Sequence, residues 1–554
     1  MRRVTMLISL SGVLCLLFAP GVAGQLTPHR HAARHALQAN EALARSHRYM
    51  RGWLGYADPD TGLIPRNLTQ DRDIWNARDS AADNYPFMVL TAALTDRALL
   101  EGRLLDILRT ETRLTSRIDR LPDAWSFSAD RWLHAEPDIH RIIFGSSEYV
   151  KDGLMPLTEW LGPSPWSQRM VGIVADILKH APIETRFGRI PSTSPEVNGE
   201  MLQVLSRLYW TTGQTTYLEY AVRLGDYYLF DHLPTRESTI RLRDHGCEII
   251  GGLSELYLTV HRAAPEKYEA YRAPIHAMYD RILEVGRNEQ GMLYNTVDLV
   301  TGRPADARLS DNWGYVYNGF YTVYLVDGTE RYRDAVRRAL SNVNEHYRDY
   351  VWEGAKKPDQ PHGSADGYAD SIEGAINLFN REPIASAAEW IDSQIRNMFA
   401  IQKADGVVEG WHGDGNFART AIMYALWKTQ GTWITPWHED VRWGAVRNGE
   451  TVFITIAADA PWQGVLKFDP PRHRVHLNLP VDYPRINQFP EWFTVDADAH
   501  YGVSMGNRAR RHTADELIKG LPVALTANKL EMNLSVTRME TTTRPGPADV
   551  PPAG

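Results

Sequence analysis

One pattern recurs down most of the chain. A helix opens on polar and small residues, runs on through Leu and Tyr, closes on a Thr-Gly or Asp-Gly turn, and is followed by a second, more charged helix. NGEMLQVLSRLYWTTG from Asn198, HGCEIIGGLSELYLTVH from His245, WGYVYNGFYTVYLVDG from Trp313 and GNFARTAIMYALWKTQG from Gly415 all read this way. Related openings fall near Asn84, Glu148 and Tyr368. That makes about seven such helices at intervals of roughly 50–65 residues, the spacing of a repeat architecture. Alternating helix pairs of this kind close into an (α/α) toroid of seven pairs, with small and apolar residues on the inner helices and amphipathic outer ones. If the inner helices run the same way, their N-termini gather at one mouth. That mouth is expected to collect Asn198, His245, Tyr315, Trp411 and His412.

A chain of 554 residues exceeds one ordinary core and fits a toroid plus a second domain. Residues 1–24 read as a secretory signal: Arg2 and Arg3 precede an apolar run from Leu7 to Pro20, then Val22-Ala23-Gly24 before a cut at Gln25. The expected location is periplasmic or secreted, with no membrane partner after cleavage. Removing the leader takes two Arg and no acid, so the formal charge falls from −8 to −10. Such a chain is not a general polyanion binder, and nucleic acid is not an expected partner. An acidic substrate needs a local basic cluster. Cys15 lies in the leader and Cys247 is left alone in an inner helix, so no disulfide framework is expected.

Helical periodicity runs from residue 28 to about Thr429, and the catalytic toroid is assigned to 25–436. Beyond it, VRWGAVRNGETVFITIAA at 441–458 alternates around Asn448-Gly449, a hairpin signal. WQGVLKFD, RVHLNL, WFTVD and LEMNLSVTRM continue in strand-like runs, so 437–540 reads as an antiparallel β-sandwich. The Pro-rich stretch 541–554 reads as a disordered tail.

The sharpest constellation is Arg308-Leu-Ser-Asp311-Asn-Trp-Gly-Tyr315. Tyr315 falls in the first turn of an inner helix, with Arg308 in the loop above it. Asp244-His245-Gly246 occupies the same place one inner helix earlier. A Tyr, a His and an Arg around one pocket suit β-elimination on a uronic acid polymer: the carboxylate is neutralised, a base removes the C5 proton and an acid protonates O4. A nearby Arg favours the phenolate of Tyr315, and helix N-termini seat an anion.

On these residues the chain resembles toroidal polysaccharide lyases acting on alginate and glucuronan. In one alginate-lyase family (family 5), Arg precedes the catalytic Tyr by seven residues with an Asp between, and Arg308, Asp311 and Tyr315 match that spacing. That family has Asn-His where this chain has Asp244-His245, so Asn198 stands in as the carboxylate neutraliser. The count of inner helices resembles polysaccharide lyase family 38, an (α/α)7 group. The resemblance implies catalysis by Tyr315, His245 and Arg308 on an anionic polysaccharide. Asn198, Trp411, His412, Trp313 and Tyr149 are the expected substrate contacts.

Structural alternatives accompany these assignments. Asp244, Asp311 and Asn198 can be helix caps. Trp411, Trp313, Tyr149 and Tyr85 can be core aromatics. His245, His362 and His412 lack metal-ligand spacing, and no phosphate-cradling loop or nucleophile elbow occurs, so neither metal nor cofactor is expected. Two rival functions remain open. A glycoside hydrolase on the same toroid needs paired carboxylates, for which Asp83, Glu148, Asp370, Glu373 and Asp414 lie near inner-helix openings. A non-catalytic periplasmic glycan-binding protein would bind polymer without shortening it.

Overall fold

The computed structural model describes residues 27–352 and 364–539. The proposed leader, the whole of the proposed tail and His362 lie outside the described residues.

Among the described residues, seven inner helices form a closed ring. They span 77–95, 139–161, Pro195–Thr212, Cys247–Ala263, Trp313–Asp327, Asp366–Arg381 and Asn416–Thr429. Ring closure is direct: Gly415, at the start of the seventh, abuts the backbone of Asp83 and Asn84 in the first. Inner helices are buried nearly all round, as in the unbroken buried run from Cys247 to Val260. Outer helices show a single apolar stripe. In Glu330–Tyr347 the buried residues are Tyr332, Ala335, Val336, Ala339, Leu340, Val343 and Tyr347, spaced three and four apart. Small residues set how closely the inner helices approach. A Cβ on Gly314 would fall 2.3 Å from the Cα of Gly374 on the next helix, so only glycine fits at that crossing.

The Thr-Gly and Asp-Gly turns behave as their chemistry dictates: Gly213 and Gly328 cap the third and fifth inner helices in the left-handed conformation. The first two inner helices begin earlier than the openings at Asn84 and Glu148 suggest. The first enters through a π-helical stretch, Ala77–Asn84, before α-helix Tyr85–Thr95. The second carries a π-helical stretch, Tyr149–Leu154, between Ile139–Glu148 and Met155–Leu161.

The C-terminal region holds two antiparallel sheets. One orders Val441–Asn448, Thr451–Ala458, Glu531–Met539, His500–Met505 and Arg508–Thr513; the other orders Leu521–Leu525, Trp462–Lys467 and Trp433–Thr435. The hairpin turns at Gly449, with Asn448 opposite Thr451. The larger sheet packs on the first outer helix, Pro28–Gly55, where Gly444 meets the backbone of Ala32 and Ala36.

RVHLNL and WFTVD are not strands. The segment 469–499 holds one short helix, Arg472–Val475, and irregular chain. Five prolines, at 470, 471, 480, 484 and 490, withhold the N–H groups a ladder needs. The segment instead lies against the C-terminal ends of the inner helices. Arg485 donates to Glu159 at 2.7 Å, Tyr483 to Glu255 at 2.7 Å, and Asn380 to the carbonyl of Glu491 at 2.9 Å. Among the described residues no helix is long and apolar enough to cross a membrane.

Candidate active site

A cavity of about 260 Å³ opens at the mouth where the inner-helix N-termini meet. Nine carboxylates face it: Asp79, Asp83, Glu148, Asp152, Glu196, Asp244, Glu248, Asp366 and Asp370. Against them stand four arginines (Arg66, Arg78, Arg243, Arg419), one lysine (Lys151) and the imidazoles of His245 and His412.

Each wall is built by an inner-helix entry. On the first, Asp79 and Asp83 sit four residues apart on the π-helical stretch and so point the same way. Asn76 caps this helix by accepting from the N–H groups of Asp79 and Ser80. Asp79 Oδ2 takes Arg66 Nε at 2.6 Å and Asn76 Nδ2 at 2.5 Å, while Oδ1 meets Arg78 Nε at 3.5 Å. His412, on the Gly-flanked turn before the seventh inner helix, brings Nε2 to 3.9 Å from Asp83 Oδ2. One oxygen of Asp79, one of Asp83 and a ring nitrogen of His412 lie within 4.8 Å of one another.

The two aspartates are pushed apart. Burial raises Asp79, but His412, Arg78, Arg66 and Asn76 outweigh it and hold the carboxyl below its ordinary value. Burial raises Asp83 to about 8, helped by Asp152 and Asp79 against the pull of His412 and Arg419. Burial disfavours the His412 imidazolium, yet Asp83, Asp79 and Asp414 more than compensate and raise it.

The opposite wall is also acidic. Glu148, Asp152 and Glu200 offer oxygens within 4.8 Å of one another. Burial, followed by Glu200 and Asp152, pushes Glu148 well up. Lys151 pairs with Asp152 at 2.7 Å. His245 sits at φ 64, a left-handed conformation costly for a residue with a Cβ. Its Nδ1 bonds Glu196 and its Nε2 lies 3.1 Å from Asp244 Oδ2. Hydrogen bonding to Glu196 leads in raising its pKa. The floor comes from the C-terminal region: Ile486 lines the cavity, and just behind it Asn487 donates its N–H to Glu373 and its Nδ2 to Asp152, both at 2.5 Å, and accepts from Arg419 at 2.8 Å.

Three of the acidic groupings have metal-like spacing: Asp79, Asp83 and His412; Glu148, Glu196 and His245; Glu148, Asp152 and Glu200. In the first and third a cation already pairs with one of the acids: Arg66 with Asp79 and Lys151 with Asp152.

Tyr315, His245, Trp411 and His412 line the cavity as the repeat predicts. Trp411 stands at the rim, 51% exposed. Other expectations fail. Arg308 belongs to a strand, Arg303–Leu309, of a hairpin with Tyr294–Asp298, and its exposed guanidinium pairs with Asp306 at 2.6 Å away from the cavity wall. Asn198 is buried below the mouth and donates to Ser192 O and Tyr228 Oη. Trp313 is core, with Nε1 on Ser371 Oγ at 2.8 Å, and Tyr149 is fully buried off the cavity. Tyr315 donates to Glu373 at 2.7 Å and Asp370 at 3.0 Å. Burial drives its pKa well above 10 against the pull of Arg419, with Asp370 and Glu373 adding to the rise, so the phenolate is disfavoured rather than favoured. Asp414 is spent on Ser364 Oγ and the N–H of Ala365. Sequence reasoning passed over Asp79, Glu196, Glu248 and Arg419. Glu196 and Glu248, acids in the first turn of inner helices, carried a usable signal.

No family model matches the sequence, and the curated proteins contain no match. Similar solved structures include an inactive variant of the glycoside hydrolase family 76 α-1,6-mannanase of Salegentibacter sp. in complex with α-1,6-mannotetrose (10% identity, 70% of this chain and 98% of that one, TM-score 0.38). A family 76 mannosidase from Bacteroides thetaiotaomicron (12%, 70% and 98%, TM-score 0.38) and a cellobiose 2-epimerase from Spirochaeta thermophila (14%, 67% and 99%, TM-score 0.39) are others. Likeness at this level transfers no activity. These neighbours are named hydrolases and epimerases, and it is the chain's own residues that rule against the expected lyase. The phenolate that a Tyr315 base would need is disfavoured by burial, and the arginine expected beside it lies away from the cavity.

Proposed function

We propose that the protein is a glycoside hydrolase acting on a neutral polysaccharide, with Asp83 as general acid and Asp79 as its ionised partner. The observation that carries this is the pair itself: two carboxyls in one cavity, within 4.8 Å, driven to opposite protonation states by their surroundings. Such splitting is how one site supplies both an acid and a base near neutral pH. Asp83, protonated up to about pH 8, gives its proton to the glycosidic oxygen as the bond breaks. Asp79, fixed through Oδ2 by Arg66 and Asn76 and kept ionised, is the carboxylate that meets the positive charge developing at the anomeric carbon. An oxygen of each carboxyl lies within 4.8 Å of the other, which favours the short spacing of retaining enzymes (about 5 Å) over the ~6.5–9.5 Å of inverting ones. In that mode Asp79 bonds to the anomeric carbon as the glycosidic oxygen leaves with the Asp83 proton, and Asp83 then returns as base to the water that releases the sugar from Asp79. Trp411 offers an exposed flat face to a sugar ring at the rim.

The test is release of reducing ends from a panel of neutral polysaccharides, α-1,6-mannan among them. Wild type should cleave at least one, and Asp83→Asn should cut its rate by about 10²–10⁴-fold. A wild-type protein that binds a glycan without shortening it would make the toroid a binding protein and remove the proposal.

A further inference from the structure

The central cavity does not stand alone. His245, at the mouth of the fourth inner helix, lines it on one face and a second cavity of about 430 Å³ on the other. Arg66 and Arg78 do the same on the far side, where a third cavity of about 290 Å³ begins. Of the residues shared between cavities, His245 and Arg78 have side chains nearly half exposed. The three cavities therefore follow one another along an arc of the mouth, from the entry of the second inner helix to that of the fourth.

Their linings differ in kind. The central cavity is ringed by charge. The second is walled by Tyr227, Tyr228, Pro195, Pro234 and Ile249. Tyr227 stacks on His232, with ring centroids 4.2 Å apart and planes 30° apart. Tyr228 is pinned beneath by the Asn198 amide at 3.0 Å, which gives that buried asparagine a task. Flat aromatic and proline faces beside a few polar groups suit the C–H face of a sugar ring and contribute nothing to bond cleavage. An enzyme that trims chain ends needs a blocked side, whereas here the central cavity is flanked on both.

We infer that the protein holds an internal stretch of polysaccharide along these three cavities, with the Tyr227–His232 stack as an aromatic subsite beyond His245, and cuts within the chain. This rests on the hydrolase proposal and adds to it a line of binding across the mouth and an internal cut.

Binding is measured by titration calorimetry on Asp83→Asn, which prevents turnover, using neutral manno-, gluco- and xylo-oligosaccharides of increasing length. Affinity should climb with length for the ligand series that binds. Adding Tyr227→Ala should weaken the longest oligosaccharide by roughly tenfold and level the curve at a shorter length. Tyr227→Phe, which keeps the ring, should retain the climb and so separates a lost platform from a damaged fold. Affinity that is flat from the shortest ligand onward, or a Tyr227→Ala loss equal at every length, overturns the cleft while leaving the hydrolase proposal standing. Failure of every oligosaccharide to bind overturns both.

Discussion

Asp79 and Asp83 are the same side chain one helical turn apart, and only their neighbours divide them. His412 is the group between them that can be changed without touching either. Its positive charge pulls Asp83 down from where burial alone would put it. Replacing it by Gln should let Asp83 rise further, so the alkaline limb of kcat/KM should move upward from about pH 8. A limb that stays in place or moves down means that Asp83 does not set it. Asp83 was visible in the sequence as an acid near a helix opening, because a polar residue at a repeat boundary stands out. Asp79 was not: the opening at Asn84 put it outside the helix, and no periodic signal marks a π-helical entry. Arg308 failed for the converse reason. Its seven-residue spacing to Tyr315 is a fixed geometry only if loop and helix share one path, and Arg308 instead lies in the second strand of a hairpin.

At the scale of elements, the decisive piece is the proline-rich segment 469–499, which seals the toroid beneath the cavity. Arg485 and Glu159 are both buried and bonded at 2.7 Å, joining the segment to the second inner helix. Arg485→Ala leaves Glu159 buried with less compensation and should cost about 3–5 kcal/mol in urea-induced unfolding. A loss below about 1 kcal/mol would mean that water or Arg472 takes over the partnership. Alternating apolar residues made parts of this segment look like strands. What the alternation could not convey is that its charged residues have buried partners hundreds of positions earlier. The hairpin at 441–458 was legible because its turn chemistry and both strands are local.

Over the whole molecule, the seven-fold ring was the most legible feature, since each repeat restates the same inner and outer pattern. The chemistry was the least legible, because the cavity is assembled from one to three residues on each of seven separate helices. Concentrating acids there has a cost in stability. Asp83 is raised to about 8, and Glu248 and Glu373 to about 7, each chiefly by burial. In the unfolded chain such groups ionise near pH 4. Their protonated folded forms thus contribute stability that is complete below about pH 4 and is lost as pH rises through 7 to 8. Buried Lys428, lowered to about 8, works in the opposite direction but is one group against three. The melting temperature should fall between pH 6 and pH 9, and Asp83→Asn should flatten that fall while raising the midpoint at pH 8.5 by a few degrees. An unchanged slope in Asp83→Asn would show that its carboxyl is not held protonated. The most direct test of the central claim is hydrolysis in oxygen-18 water, followed by mass spectrometry of the products from a neutral polysaccharide that the protein cleaves. The carboxylate pair predicts saturated reducing ends carrying the heavy oxygen, formed by wild type and almost absent with Asp83→Asn. Unsaturated ends without the label, or labelled ends formed by Asp83→Asn at close to the wild-type rate, would contradict it.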